Sequence, residues 1–359
     1  MASYEGPHPE VDYTPIYYIL CHWPDVACRE IICSASGESE AMSALQSGIV
    51  SDAALHIDVR MRCPRCRANL NGLGCSSCGF RMRIGHGIVH ALPPERAAHY
   101  ARFMEDYEHI RAAEGRGSES EDFYLGLPYK DVSGRNDKQW HIRARSYDYL
   151  IKHVLKRNPQ DGGGRVLDLG AGNCWMSFRL ALAGYRPFAV DLLANDRDGL
   201  GVAAHYQTCL SELFPRFQAE IASLPFQDEQ FDVVIFNASF HYSEDYAVTL
   251  REAFRCVRNG GMVIISDTPW YSREESGRQM VSERRAAFSQ CYGTASDSIR
   301  SLEYLTNERL RILEDQLSIQ WTIHSPRYGF KWAMRPLVAK LRRKREPSRF
   351  RIYVARKDA

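Results

Sequence analysis

The chain has 359 residues, is 45% hydrophobic and 25% charged, and carries a net charge of +2 at pH 7. This is an ordinary soluble composition, long enough for one large domain and a small one. No uninterrupted apolar run reaches the roughly 18 residues of a membrane span, and "MASYEGPHPEVDY" lacks the basic start and apolar centre of a secretion signal, so the expected location is cytoplasmic.

Residues 1-57 are expected to form an extension of unclear structure, with "TPIYYILCHW" readable as a strand and "CSASGESEAMSALQSG" as a loop or short helix; no function is assigned to it. The next segment, 58-92, contains "CPRCRANLNGLGCSSC", two Cys-x-x-Cys knuckles separated by eight residues. Thiolates are soft ligands suited to zinc, and Cys63, Cys66, Cys75 and Cys78 complete a tetrahedral shell with no position left for water. The expected metal is therefore structural, and the remaining cysteines are scattered and reduced. "GFRMRIGHGIVHALPPE" reads as short strands before a proline stop, which makes the segment a zinc ribbon in outline. His86 and His90 lie near the knuckles and are read as surface or packing residues. Residues 93-157 are expected to be a polar, helical connecting region, broken at "EGRGSESED" and "DVSGRND".

The pattern then changes to apolar runs of strand length alternating with helical periodicity, which predicts a parallel sheet covered on both faces over 158-359. Seven strands are expected: "RVLDLG", "RPFAVD", "RFQAEI", "FDVVIFN", "GMVIISD", "SIQWTIH" and "RFRIYVAR". Between the fourth and fifth, Ala247, Leu250, Phe254 and Val257 fall at helical spacing and "NGG" reads as a stop. "LTNERLRILEDQL" predicts a further helix. The fold class is thus α/β, a Rossmann-like, mostly parallel seven-stranded sheet with helices on both faces, plus a small N-terminal zinc ribbon.

Candidate chemistry gathers at the carboxyl ends of these strands, where open α/β sheets bind ligands. "VLDLGAG" sets Asp168, Gly170, Ala171 and Gly172 at a tight turn into a helix, where glycines permit close backbone approach and exposed amides favour an anionic group. Asp191 ends the second strand, 21 residues after Gly170, at a position from which a carboxylate can accept from ribose hydroxyls. Glu220 ends the third. Trp175 occupies the place of the third glycine of a dinucleotide fingerprint, which argues against an oxidoreductase.

The stretches "VLDLGAG", "AVDLL", "AEIASLPFQDEQFDVVIFNASFHY" and "LREAFRCVRNGGMVIISD", in this order, resemble the class I S-adenosylmethionine-dependent methyltransferases, in particular the ubiquinone-biosynthesis-like, methyltransferase type 11 group. The resemblance implies a methyltransferase that binds S-adenosylmethionine. Asp168 and the Gly170 to Gly172 amides would serve its methionine end, Asp191 the ribose and Leu192 the adenine face. Glu220, where the family usually has Asp, would meet the adenine amine, the Ile221 amide would meet the ring, and Asn237 would end the fourth strand beside the sulfonium. "CPRC...CSSCGF" with "GIVHAL" is similar to the zinc-binding activator subunits of tRNA and rRNA methyltransferases.

Methyl transfer from a sulfonium is an in-line displacement, which needs alignment and exclusion of water more than acid or base machinery. For a hydroxyl acceptor His241 is the candidate catalytic base, with a purely pocket-shaping role as the alternative. Tyr242, Trp270 and Tyr271 are candidate substrate walls, and Trp140, Arg143 and Arg145 are candidates to close over the cofactor. The expected acceptor is a small molecule, glycan or lipid-type metabolite; an RNA methyltransferase and a catalytically silent scaffold are the rivals. From Lys331 onward, eleven Lys or Arg face two acids, a local net of +9, so the first 330 residues sum to −7. This basic segment, densest at Arg342 to Arg345, is open to reading as an RNA phosphate contact, a peripheral membrane contact or a solvated hairpin helix.

Overall fold

The computed structural model describes residues 57–155 and 163–358. The strand expected at "TPIYYILCHW", the rest of segment 1-56 and the boundary expected at 157/158 lie outside the described residues. The strands are β1 (Arg83–Gly85), β2 (Ile88–His90), β3 (Arg165–Leu169), β4 (Arg186–Asp191), β5 (Arg216–Gln218), β6 (Phe231–Asn237), β7 (Val257–Ser266), β8 (Thr322–His324) and β9 (Ile352–Arg356). They form one sheet in the order β1-β2-β5-β4-β3-β6-β7-β9-β8. Pairing is parallel from β2 through β7 and antiparallel at β1–β2, β7–β9 and β9–β8.

The expectation of seven strands is corrected to nine among the described residues. The added pair is the hairpin of the cysteine segment, whose β2 lies parallel to β5 with Val89 opposite Phe217. A hairpin that short buries too little to stand alone, and docking on an open edge satisfies its backbone groups.

Alternate residues of the central strands feed two cores on opposite faces, as the period of two requires. Leu167, Val234, Phe236, Val263 and Ile265 join one cluster; Val166, Val233, Ile235 and Ile264 join the other. On the first face the sheet is covered by α5 (Tyr246–Cys256), α7 (Asn307–Leu317) and the cysteine segment, which contributes Met61, Cys63, Leu70, Phe80 and Met82 to the same cluster. On the second face it is covered by α3 (Asp137–Tyr149), α4 (Trp175–Leu182) and a 3-10 segment, Leu200–Thr208. The helices α1 (Pro94–Ala113), α2 (Glu121–Gly126), α6 (Glu274–Tyr292) and α8 (Phe330–Leu341), a π-helical turn at Leu150–Leu155 and a 3-10 turn at Phe240–Tyr242 complete the described set.

Local signals set the ends of these elements. Asp245 caps α5 by accepting from the Val248 amide at 3.0 Å, and Thr306 caps α7 by accepting from the Arg309 amide at 3.2 Å. α1 starts at Pro94, where a missing amide costs nothing. The "NGG" turn lies inside β7 rather than between helix and strand: α5 stops at Cys256, Val257 already pairs with Phe231, and pairing resumes at Met262 opposite Val233. The excursion needs Gly261, where a Cβ would sit 2.6 Å from Val257 Cγ1 and 2.7 Å from the Asp232 carbonyl oxygen.

Because the cysteine segment shares a core with the sheet, it should melt with it. Phe226 is fully buried between Phe217 at 4.8 Å and Phe231 at 5.0 Å. Phe226→Ala is expected to cost about 3–5 kcal/mol and to lower a single calorimetric transition by about 6–20 °C. An earlier, separate transition of the cysteine segment would contradict the shared core.

Candidate functional site

The carboxyl ends of β3, β4 and β5 open on a cavity of about 270 Å³. Its floor is built at the glycine turn. The Gly170 and Ala171 amides both donate to the Val190 carbonyl, at 2.8 and 3.0 Å, which folds the turn onto β4. Gly170 has φ +75°, and a Cβ there would lie 2.2 Å from the Ser239 Cβ, so only glycine lets β6's loop approach this closely.

Two acids flank the turn. Asp191 accepts from the Gly172 amide at 2.8 Å through Oδ2 and from the Leu193 amide at 2.9 Å through Oδ1. Burial pushes its pKa up to about 6, partly opposed by those amides. Asp168 accepts from Ser177 Oγ at 2.7 Å through Oδ2, while its buried Oδ1 has no protein partner. Burial raises its pKa to about 7, with the charge of Asp191 adding to the rise and the Ser177 bond opposing it. Such a pair of desolvated carboxyls favours a cationic ligand, which would restore both to the charged form.

The third acid, Glu220, lies just past β5 and is engaged by α1. Arg96 Nε donates to Oε1 at 2.8 Å, Arg96 Nη2 to Oε2 at 2.7 Å, and Tyr100 Oη to Oε2 at 3.1 Å. Arg96, Tyr100, Phe103 and Tyr107 form the roof of the cavity, joined by Tyr242, whose ring lies 5.8 Å from those of Phe103 and Tyr107. At its far end α1 is tied down by the two-pronged pair of Arg111 with Asp198, in which Nη2 donates to Oδ1 at 2.9 Å.

The structure therefore gathers Gly170, Gly172, Asp191, Leu192, Glu220 and Ile221 around one cavity. Asp168 and Ala171 are buried at the turn itself, outside the lining. Asn237 is buried at the end of β6, its Oδ1 unpartnered, with the lining residue Ala238 next to it. His241 is also buried and off the lining, its Nδ1 without a partner. Burial, then Arg143 and Arg284, push its pKa down to about 3, so the ring is neutral at ordinary pH. Trp270 and Tyr271 are core residues outside the cavity lining, and Trp140 is buried on the α4 face, where its ring meets Trp175 at 6.0 Å.

The closing element is α1 rather than the segment carrying Trp140, Arg143 and Arg145. Its signal was the spacing of Tyr100, Phe103 and Tyr107, which lie on one helical face of an otherwise polar stretch. Ser239, Ser243, Thr249 and Ile299 also line the cavity and carried no readable motif.

The four cysteines form a second site. Cys63 Sγ and Cys78 Sγ are 3.6 Å apart, Cys66 Sγ and Cys75 Sγ 3.4 Å, and all four sulfurs lie within 4.8 Å of one another. Sulfurs bound at about 2.3 Å to one tetrahedral ion lie roughly 3.8 Å apart, so the set fits zinc. Each knuckle turns back through a backbone bond, Arg67 to Cys63 and Gly79 to Cys75, both 2.9 Å, with φ +67° and +73° at the donors. Knuckle one also supports the cavity: Ser223 Oγ donates to the Pro64 carbonyl at 2.7 Å, and Arg65 pairs with Glu95 of α1 at 2.8 Å.

Comparison with known proteins places residues 167–265 in a match to the methyltransferase domain family. The malonyl-[acyl-carrier protein] O-methyltransferase of Erwinia billingiae is 32% identical over 29% of this chain and 39% of its own. The arsenite methyltransferase of Aquipseudomonas alcaligenes is 29% identical over 37% of this chain and 40% of its own. The fatty-acid O-methyltransferase of Mycolicibacterium smegmatis is 27% identical over 48% of this chain and 62% of its own. The chain thus spans about two fifths to three fifths of the length of these relatives.

The raised carboxyls predict a pH dependence without ligand. Asp168 titrates near 3.8 when unfolded and at about 7 when folded, so its proton favours the folded state. The stability it confers is full below pH 3.8 and is lost as pH rises through about 7. Asp168→Asn should remove this slope and raise the ligand-free melting temperature at neutral pH, by up to about 4 kcal/mol in stability. Parallel melting-versus-pH curves for the two proteins would refute the assignment.

Proposed function

We propose that the protein is an S-adenosylmethionine-dependent methyltransferase acting on a small-molecule or lipid-type acceptor, with a zinc ion held structurally by Cys63, Cys66, Cys75 and Cys78. The observation that carries the reading is the acid set at three successive strand ends: Asp168 with an unpartnered buried oxygen, Asp191 beside the glycine turn, and Glu220 across the cavity. The family match over 167–265 spans all three of these strand ends.

In this reading Asp168 takes the ammonium of the methionine end and Asp191 the ribose hydroxyls, while the Gly170, Ala171 and Gly172 amides, bonded to the Val190 carbonyl and the Asp191 carboxylate, shape the turn against which that end packs. Leu192 packs on the adenine and the Ile221 amide meets its ring. Glu220 has room for the adenine amine, because Oε1 accepts one protein bond and a carboxylate oxygen offers two lone pairs. Bound there, S-adenosylmethionine supplies an electrophilic methyl group on a positively charged sulfur. The chain's own work is then to align and to exclude water: the Tyr100, Phe103, Tyr107 and Tyr242 rings close the cavity, and Asp168 and Asp191 present negative charge. Asn237 and His241 stand at the end of β6 on the acceptor side. With a pKa of about 3, His241 in this conformation is a neutral ring buried behind the lining rather than a base poised near neutral pH.

The zinc assignment rests on the fit of four thiolates around one point. Its role follows from where the knuckle reaches, the 220–223 loop and α1.

Calorimetric titration is expected to show S-adenosylmethionine binding in the wild type and about 100-fold weaker binding in Asp191→Ala, a loss of about 2.7 kcal/mol. An unchanged isotherm would remove the cofactor assignment. Incubating the protein with methyl-labelled donor and a cell extract should then put label in the solvent-extractable fraction; nuclease-sensitive label would move the acceptor to RNA, and no label would favour a silent scaffold. Cys63→Ser should release the metal. Losing even about 3 kcal/mol of the roughly 10–16 kcal/mol that structural zinc contributes lowers the melting point by about 6–12 °C; unaltered metal content and melting would sink the zinc assignment.

A further inference from the structure

The basic C-terminal segment holds a helix that is built inside out for a soluble protein. α8, Phe330–Leu341, has no buried residue. One side rests on the body: the Trp332 ring stacks on Phe350 at 5.6 Å and meets Tyr328 at 5.3 Å, and Arg335 lies 3.8 Å over Trp332. Tyr328, just ahead of the helix, is rooted through its hydroxyl 2.9 Å from Ser146 Oγ.

The opposite side faces outward and is apolar. Phe330, Met334, Leu337, Val338 and Leu341 fall within an arc of about 100° when each residue advances roughly 100°. Phe330 is 78% exposed, Leu337 49% and Leu341 75%. Lys331 and Lys340 border this arc on its two sides, and the exposed Arg342, Arg343 and Lys344 follow the last turn. An outward apolar stripe edged with basic side chains is the pattern of a helix lying in a lipid interface, with the stripe among the acyl chains and the cations at the head groups.

We propose that α8 and Arg342 to Lys344 form a docking surface for an anionic lipid membrane, on which the protein lies peripherally. Among the described residues no helix is long and apolar enough to cross a bilayer. Charge complementarity selects this occupant: from Lys331 on, the chain carries eleven Lys or Arg against two acids. RNA would use the cations but leaves Phe330, Leu337 and Leu341 unburied. A second copy would cover the stripe but bring two basic runs together, which repel.

The test is flotation of the full chain with lipid vesicles and no methyl donor, so it is independent of the proposed activity. The protein should rise with phosphatidylcholine vesicles containing phosphatidylglycerol, much less with pure phosphatidylcholine, and release as salt is raised. The double variants Leu337→Asp with Leu341→Asp and Arg342→Glu with Arg343→Glu should each lose at least about tenfold in partitioning at unchanged melting temperature, since none of the four side chains is buried. Equal binding to neutral vesicles, no binding to anionic ones, or full binding by either variant would overturn the proposal. So would a dimer abolished by the Leu337 and Leu341 changes, or polynucleotide binding that competes vesicles away and survives those changes.

Discussion

Parallel pairing of Ile88–His90 with Arg216–Gln218 is the contact on which the rest of the molecule depends. It converts a cysteine segment with little core of its own into the outer strands of the sheet, and the backbone bond continues past the strand, where the Ala91 amide donates to the Gln218 carbonyl at 2.9 Å. The chain then leaves over the top of β5 through Pro93 and enters α1. The helix that roofs the cavity is thereby launched from the strand beside the cavity, so the position of Arg96 and Tyr100 over Glu220 is a consequence of register. A one-residue slip in β2 would turn every side chain of the hairpin over and move the start of α1 with it.

The cavity is organised by charge that the fold leaves uncompensated. Asp168 is buried and Asp191 half-buried, and the amides and hydroxyl that reach them do not bring either pKa back to the ordinary carboxylate range. Glu220 is different: Arg96 neutralises it, and Tyr100, pushed up by burial and by that carboxylate, stays protonated and donates to it. The two ends of the cavity thus ask for different partners. The glycine-turn end lacks a cation, whereas the Glu220 end already has one and offers only a free acceptor lone pair. A ligand with a cationic group at one end and a neutral amine donor at the other matches both.

How much of this was legible in the sequence depends on whether the determining contact is local. The strands of the sheet centre were readable because both faces are buried, so "FDVVIFN" and "GMVIISD" are nearly continuous apolar runs. The glycine turn and Asp191 were readable because a tight turn restricts residue type, and the four cysteines because metal geometry restricts spacing. The ninefold sheet was not, since "RIGHGIVH" contains nothing that names "RFQ" as its neighbour. "NGG" misled for a related reason: glycine marks a break in helix and a bulge in strand alike, and only the Val257 to Phe231 pairing distinguishes them. In α1 the aromatic side faces a ligand-sized space rather than a packed core, so its stripe is narrow and the helix reads as polar.

That distinction between local and long-range determination bears on why a cluster of four cysteines is built in at this end of the sheet. The 220–223 loop is held from below by Pro64, the start of α1 by Arg65, and both residues lie within the first Cys-x-x-Cys knuckle. Arg65 with Glu95 is an exposed pair and by itself contributes little. A partly buried hydroxyl-to-carbonyl bond such as Ser223 to Pro64 contributes about 1 kcal/mol. Neither contact could fix a loop unless the knuckle were itself rigid, and a four-residue turn has no packing of its own to make it so. Four metal–thiolate bonds, as proposed for Cys63, Cys66, Cys75 and Cys78, would supply that rigidity without volume. The proposed metal site would thus stand in for the core that a short edge module cannot build, and would let two weak contacts position both the floor and the roof of the cavity's Glu220 end.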